Sequence, residues 1–145
     1  MIRIRNSTPA DGDRVLQVWR DAVDATHDFL APADRVAIEA EVAGFLPAAP
    51  LWLAVDDADV AIGFMLLDGA QMEALFIDTA HRGRGVGRAL VAHALALHPA
   101  LTTDVNEANE QAVGFYRRLG FVVTGRSPRD GQGRAYPLLH LRRDG

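Results

Sequence analysis

The sequence contains no cysteine among its 145 residues. This absence excludes a disulfide framework, a zinc site held by thiolates and a cysteine nucleophile. The chain also lacks an apolar run close to the roughly 20 residues that a membrane span requires. Its first residues, 1–5, lack the apolar core of a secretory signal. The lack of cysteine fits a reducing compartment. Together with the missing span and signal, it leads us to expect a cytoplasmic protein without a membrane partner.

Basic residues are fewer than acidic ones: 15 lysine and arginine residues stand against 19 aspartate and glutamate residues, which gives a net charge of −4. This balance argues against a general nucleic-acid-binding role. Hydrophobic residues make up 49% of the chain and charged residues 23%, which is an ordinary globular composition. No repeat or linker interrupts the sequence. We therefore expect one domain that covers residues 1–145.

The hydrophobic pattern predicts alternating strands and helices. Thr8 and Pro9 are typical of a helix start, and the apolar residues that follow recur at helical spacing until about residues 26–28. Pro32 is expected to open a second helix. The predicted order is strand, two helices, three strands, helix, strand, helix and two strands, which indicates an α/β or α+β domain with a mixed sheet. The first helix is expected to face the core with Val15, Val18, Trp19, Ala22 and Val23. The apolar positions of the second helix are Val36, Ile38, Val42 and Phe45.

Several residues are expected to have structural and not functional roles. Asp56, Asp57 and Asp59 lack the glycine and the final glutamate of a calcium-binding loop, so we expect a hairpin turn there. His81 is expected to be exposed to solvent. Gly120 fits the left-handed position that ends a helix over residues 109–119.

A glycine-rich loop between a predicted strand (72–77) and a predicted helix (85–97) is the most informative stretch. Glycines allow close approach of the backbone to a ligand, and the amides at a helix start favour an anion. Such a loop forms a phosphate cradle, although it can also be a tight turn without a ligand. A P-loop is excluded because no Lys-Ser/Thr pair follows, and the glycine spacing does not fit a dinucleotide fingerprint. The residues concerned are Arg82, Gly83, Arg84, Gly85, Gly87 and Arg88.

Two motifs resemble the GNAT superfamily of N-acetyltransferases. The first is Arg82-x-x-Gly85-x-Gly87 after an apolar strand, which is similar to the pyrophosphate-binding motif of that family. The second runs from residue 106 to residue 121 and reads Asn-x-x-Asn-x-x-Ala-x-x-Phe-Tyr-x-x-x-Gly-Phe. Segments 24–30 and 136–139 resemble the small bacterial YjaB-type members. The resemblance implies a mixed, mostly antiparallel sheet with splayed central strands and flanking helices.

The resemblance also implies that acetyl-CoA is the co-substrate and that no metal is needed. The pantetheine amides would pair with a strand edge, where a backbone N–H would also stabilise the oxyanion. Asn109 matches a residue that contacts the pantetheine arm, and it also fits a helix N-cap; both roles can hold at once. The implied contacts are the backbone of Leu75, Phe76 and Ile77 with pantetheine, and Arg82, Gly83, Arg84, Gly85, Val86, Gly87 and Arg88 with the pyrophosphate.

The catalytic groups are likewise carried over from the resemblance. Tyr116 matches the general acid that protonates the leaving thiolate and is thereby also expected to contact the co-substrate, although it also fits a core position. Glu73 lies on the strand beside the expected thioester and is our candidate base, directly or through water; it also fits an exposed strand carboxylate. His27 is expected to bind the acceptor or take its proton, and otherwise to cap nearby backbone. Phe29, which also fits the core, and Tyr136 complete the expected acceptor site.

The function that these assignments imply is direct transfer of an acetyl group to a primary amine of a small molecule, peptide or protein. A route through an acetyl-cysteine is excluded because the chain has no cysteine. The alternatives are a non-catalytic acyl-CoA sensor and a dinucleotide-binding domain, and the glycine spacing disfavours the latter. We expect a monomer or a homodimer.

Overall fold

A computed structural model describes residues 2–144, so the two ends of the expected domain, Met1 and Gly145, lie outside the described residues. None of the helices in this part of the chain is long and apolar enough to cross a membrane. The strands are β1 (Arg3–Asn6), β2 (Trp52–Val55), β3 (Ala61–Asp68), β4 (Gln71–Ile77), β5 (Leu101–Asn106), β6 (Val122–Ser127) and β7 (Leu138–Arg143). The helices are α1 (Gly12–Thr26), α2 (Pro32–Phe45), α3 (Val86–Leu97) and α4 (Glu110–Arg118).

The strands form one sheet in the order β1-β2-β3-β4-β5-β7-β6. Strand β2 is antiparallel to β1 and β3, and β7 is antiparallel to β5 and β6. Strands β4 and β5 are parallel, with Gln71 opposite Thr102 and Met72 opposite Thr103, at the first residues of β4. The prediction of a mixed, mostly antiparallel sheet with flanking helices is confirmed.

Contacts divide the chain into two compact units, and β4 is shared between them. The first unit comprises the residues up to Leu66 together with Ala74–Val91, and the second comprises Leu67–Glu73 and the residues from Ala92 onward. The core of the first unit is formed by α1 and the strands β2 and β3. The predicted apolar stripe of α1 is buried throughout, which confirms its helical period. The buried residues of this core include Val15, Val18, Trp19, Val23, Leu53, Val55 and Phe64.

The core of the second unit lies between α4 and the strands β5 and β7. Leu101, Val105 and Leu141 are buried there, and the rings of Tyr116 and Phe121 meet edge to face with centroids 5.3 Å apart. Aromatic pairs in this geometry contribute roughly 0.5–1.5 kcal/mol beyond their area burial. The ring contact therefore helps to hold the end of α4 next to the start of β6.

The four apolar positions of α2 divide between the core and the solvent. Val36 is 71% exposed and Phe45 is 50% exposed, whereas Ile38 and Val42 pack against the core of the first unit. Val36 precedes Ile38 by two positions, a rotation of about 200°, and so faces the opposite side of the helix. Phe45 is the last residue of α2. The helix therefore rests on the core along a narrow stripe.

The start of the first helical region is confirmed in part. Pro9–Asp11 form a short 3-10 turn in which the Thr8 amide donates to the Asp11 carboxylate at 2.8 Å. The guanidinium of Arg5 donates to both oxygens of that carboxylate at 2.9 Å. Thr8 is thus the N-cap of the 3-10 turn, and α1 proper starts later, at Gly12.

The end of α4 confirms the role predicted for Gly120. This residue has φ 93°, its amide donates to the Arg117 carbonyl at 3.0 Å, and the Phe121 amide donates to the Tyr116 carbonyl at 3.0 Å. These two bonds are those of a Schellman motif, which requires a left-handed residue after the helix.

We expect Gly120→Ala to destabilise the protein by about 1–2 kcal/mol, because a Cβ is disfavoured in the left-handed region. The matched control is Gly44→Ala, within α2, where an added Cβ would meet nothing within 4 Å. That change should stabilise the protein by up to about 1 kcal/mol, because alanine is the better helix former. Urea unfolding monitored by circular dichroism measures both. Equal effects of the two substitutions would contradict the assignment of Gly120.

Candidate active site

The glycine-rich loop lies between β4 and α3 in the first unit. Gly83 has φ 73° and Gly85 has φ 79°, a conformation that disfavours any residue with a side chain. An ideal Cβ at either position would meet nothing within 4 Å. The glycines are therefore required by backbone conformation and not by crowding, and the space beside the loop is open.

The start of α3 follows this open loop directly. The Gly85 carbonyl accepts the Ala89 amide at 2.9 Å, so the helical hydrogen bonds begin there, while Val86 is buried and anchors the first turn. The first amides of a helix have no carbonyl acceptor in a preceding turn, and the helix dipole adds partial positive charge. Three exposed arginines add full charges nearby. The arrangement suits a phosphate or pyrophosphate group; the arginines are Arg82, Arg84 and Arg88.

The prediction that His81 is exposed is wrong. Its side chain is half-buried and its Nδ1 lies 2.7 Å from Oδ2 of Asp78, which is itself only 6% exposed. Asp78 also forms an ion pair of 3.5 Å with Arg14, and its amide donates to the Ile62 carbonyl. The short 3-10 turn Thr79–His81 folds the imidazole back onto the carboxylate, so this histidine supports the base of the loop.

A cavity of about 460 Å³ adjoins the loop within the first unit. Its charged lining has both signs, because the hairpin turn between β2 and β3 contributes two aspartates and the loop contributes Arg84. The mixed charge makes the cavity a less suitable phosphate site than the amides of the loop. Its lining residues are Ile2, Asp56, Asp57, Ile62, His81, Arg84 and Val86.

Three of the predicted site residues meet at the end of β4 in the first unit. The His27 ring lies 5.3 Å from that of Phe29 and 6.4 Å from that of Phe76, measured between centroids. Phe76 in turn packs on Phe64, with centroids 5.5 Å apart. Leu75, Phe76 and Ile77 are half-buried. The histidine is therefore held against the strand whose backbone is expected to carry the pantetheine.

The hydrogen bonds of His27 define its tautomer. Oγ1 of Thr26 donates to the Ala22 carbonyl at 2.7 Å and lies 2.7 Å from Nδ1 of His27. The hydroxyl has one proton, and a carbonyl oxygen has none, so that proton must lie between Thr26 and Ala22. Nδ1 therefore donates to the hydroxyl, and the lone pair of the neutral ring lies on Nε2. Burial lowers the pKa of His27, opposed by the charge of Asp28, which favours this neutral form.

Tyr116 is only 6% exposed and contacts β5 in the second unit. Burial raises the pKa of its phenol well above the usual value, and the Thr103 hydroxyl opposes this shift. That hydroxyl donates to the Met72 carbonyl at 2.9 Å, where β4 and β5 pair. The phenol is therefore protonated at neutral pH and lies next to the paired ends of the two central strands. The sequence pattern does not single out Thr103, because its only signal is a polar residue at an inward position of β5.

The other predicted residues of the second unit have simpler surroundings. Asn109 is the N-cap of α4, where its Oδ1 accepts the Ala112 amide at 3.2 Å. Glu73 is exposed; desolvation raises the pKa of its carboxyl, and the charges of Asp68 and Asp104 raise it further. Tyr136 is half-buried and precedes β7, which begins at Leu138.

Comparison with known proteins gives one family and closely similar relatives. The family model described as an acetyltransferase (GNAT) domain matches residues 47–123. The chain is 57% identical over 141 residues to the peptidyl-lysine N-acetyltransferase YjaB of Salmonella typhimurium, covering 97% of each chain. Among solved structures, the solution structure of apo-form YjaB from Escherichia coli matches with a TM-score of 0.95. The two sequences are 56% identical, and the match covers 98% of this chain and 97% of the other.

A more distant neighbour shares the fold. The crystal structure of the PaiA N-acetyltransferase of Thermoplasma acidophilum in complex with coenzyme A has a TM-score of 0.80 and 16% identity, covering 100% of this chain and 99% of the other. At this identity the likeness concerns the fold alone.

We predict that Thr26→Val changes the tautomer of His27, because valine keeps the shape of threonine but cannot accept the Nδ1 proton. Long-range ¹H–¹⁵N correlation of the imidazole nitrogens measures the change directly. The wild-type ring should show a protonated Nδ1, and the variant should show a substantial Nε2–H population. Thr26→Ser restores the acceptor and should restore the wild-type pattern. A wild-type ring protonated at Nε2 would refute the assignment.

Proposed function

The chain belongs to the GNAT family of acetyltransferases, and from that premise we propose that it transfers the acetyl group of acetyl-CoA directly to a primary amine. The observation that carries this proposal is the pair of left-handed glycines, Gly83 and Gly85, ahead of α3 and inside the segment that matches the family. The relatives named peptidyl-lysine N-acetyltransferases favour the side chain of a lysine in a peptide or protein as the acceptor.

Binding of acetyl-CoA is assigned to two backbone segments. The amides of residues 83–88 would hold the pyrophosphate, with the neighbouring arginines neutralising its charge. The backbone of Leu75, Phe76 and Ile77 would pair with the pantetheine amides, as an extended peptide pairs with a strand edge. Asn109, beyond its role as N-cap, would contact the pantetheine arm.

Acceptor binding is assigned to His27, Phe29 and Tyr136. A protonated lysine can donate to the Nε2 lone pair of His27, while the ring of Phe29 covers the aliphatic stem. The amine must lose a proton before it attacks the thioester, and we assign that proton to Glu73, directly or through water. The raised pKa of Glu73 makes it a stronger base than an ordinary carboxylate. A backbone N–H of β4 would stabilise the oxyanion that forms.

Tyr116 is assigned the protonation of the departing thiolate. Its raised pKa keeps the proton on the phenol at neutral pH, so the group enters the reaction as a donor. Burial also excludes water, which strengthens a hydrogen bond to developing charge on sulfur.

The proposal is tested by thiol release from acetyl-CoA in the presence of lysine-containing peptides, polyamines and aminoglycosides. We expect release that depends on the amine and is fastest with a lysine peptide, and mass spectrometry should place the acetyl group on the lysine Nζ. Tight acetyl-CoA binding without release for any amine would favour a sensor instead.

We predict that Tyr116→Phe lowers kcat by about 10²-fold or more, the usual contribution of a general acid, and leaves the Kd for CoA nearly unchanged. The chain has two tyrosines, so Tyr136→Phe is the matched control and should affect the KM of the amine more than kcat. Steady-state kinetics and calorimetric titration with CoA separate these effects. Equal kcat values for Tyr116→Phe and the wild type would remove Tyr116 from the mechanism.

We predict that Gly85→Asp abolishes CoA binding, because it places a carboxylate where the pyrophosphate is expected, next to a backbone at φ 79° that aspartate and asparagine adopt equally well. Gly85→Asn is the matched control: asparagine has the same shape, is tolerated in the left-handed region and has no charge. It should weaken binding less than the aspartate does. Calorimetry with CoA measures both, and undiminished affinity of a folded Gly85→Asp protein would show that the pyrophosphate lies elsewhere.

A further inference from the structure

Three side chains of the second unit form a continuous hydrogen-bonded chain across three strands. Oγ of Ser127, on β6, lies 2.7 Å from Nε2 of His140, on β7. Nδ1 of that histidine lies 2.6 Å from Oδ1 of Asp104, on β5. Asp104 and His140 are direct partners in the β5–β7 register, and Ser127 lies diagonally across the β6–β7 pair.

The chemistry of the three groups defines where the protons lie. The Asp104 carboxylate can only accept, so Nδ1 of His140 carries a hydrogen and donates it. The lone pair of the neutral ring is then on Nε2, where it accepts the hydroxyl proton of Ser127. A nucleophile bonded to a base, and a base oriented by a carboxylate, is the arrangement by which proteins activate serine.

The backbone around His140 holds the imidazole in this position. Gly125 is its register partner, and a Cβ added there would lie 3.3 Å from the ring carbon Cδ2, so a larger residue would crowd the ring. The register of β6 shifts between Val123 and Gly125, an irregularity of the kind that re-aims side chains. The hydroxyl of Thr124 donates to the His140 carbonyl at 3.2 Å. Ser127 and His140 are half-buried, so the ring is fixed while the hydroxyl stays within reach of a small reagent.

We propose that Ser127 is an activated nucleophile that accepts acyl groups from small, uncharged activated esters, an acyl-transfer site separate from the amine acetylation proposed above. The Ser127 oxygen attacks the ester carbonyl and its proton passes to Nε2 of His140. The C–O bond to the leaving group then breaks, and the departing alkoxide takes that proton, which leaves O-acyl-Ser127. Water hydrolyses this ester with His140 as the base, which releases the acid and restores the serine.

The charge around the cluster selects the class of ester. The Asp104 carboxylate contributes to the raised pKa of Glu73, so at least two carboxylates share this part of the surface. Negative charge repels anionic acyl donors, and a neutral ester meets no such penalty. Asp104 does not touch the reacting atoms; it positions His140.

The test is covalent labelling of the full-length chain with the neutral serine reagent diisopropyl fluorophosphate, followed by peptide mapping. The chain has two serines and no cysteine, so Ser7 is an internal control and no thiol adduct competes. Ser7 is half-buried too, but its hydroxyl is bonded to the backbone of Ala49 and Leu51. We expect Ser127 to react about 10²-fold faster than Ser7, the usual gain from a general base. Equal rates would overturn the proposal.

Two variants keep the test independent of folding. His140→Gln removes the base, and Asp104→Asn, at an exposed side chain, replaces the carboxylate with an amide. If the new amide donates to Nδ1 of His140, the ring proton must lie on Nε2. Nε2 then has no lone pair to accept the hydroxyl hydrogen of Ser127. Both variants should reduce the Ser127 rate to that of Ser7, and ¹⁵N spectra should show the inverted His140 tautomer in Asp104→Asn. Unchanged labelling with an inverted tautomer would overturn the proposal.

With p-nitrophenyl acetate in place of the fluorophosphate, the wild-type chain should form an acetyl ester on Ser127 that mass spectrometry detects. The ester should be absent from His140→Gln. Acetylation of Ser127 at the same rate in both proteins would assign it to unassisted surface chemistry and overturn the proposal.

Discussion

The backbone conformation of one loop constrains the candidate site of the first unit. Gly83 and Gly85 both occupy the left-handed region, and the helical hydrogen bonds of α3 begin immediately afterwards at the Gly85 carbonyl. This sequence of conformations turns the chain from the end of β4 into a helix, whose first amides have no acceptor in a preceding turn. The buried carboxylate of Asp78 interacts with His81 and Arg14 and so stabilises the start of this turn. Most side chains at either glycine would strain this left-handed conformation.

Desolvation has opposite consequences at the two candidate functional groups. It raises the pKa of the Tyr116 phenol and so keeps that group protonated, while it lowers the pKa of the His27 imidazole and so keeps that group neutral. One group is thereby a hydrogen-bond donor and the other an acceptor at the same pH. The local hydrogen bonds complete the assignment: Thr26 places the proton of His27 on Nδ1, and Thr103 lies beside the phenol. In the proposed transfer the acceptor group binds the amine and the donor group protonates the departing thiolate.

The sequence alone predicts the parts of the structure that local rules determine. The period of α1, the Schellman glycine Gly120 and the strand-loop-helix segment around Gly85 depend on neighbours in sequence, and each is found as expected. The exposure of Val36 depends on which stripe of α2 meets the core, which a short amphipathic pattern does not specify. The Ser127–His140–Asp104 chain joins residues 13 and 36 positions apart, and only the strand register brings them together.

We propose that acetyl-CoA binds to the loop after β4 and along the end of that strand. The most direct measurement is a titration of ¹⁵N-labelled protein with acetyl-CoA, followed through the backbone amide shifts. We expect the largest changes at residues 83–88 and at Leu75–Ile77, with smaller changes at Asn109. Saturable binding whose shifts cluster elsewhere, with those two segments unmoved, would contradict it.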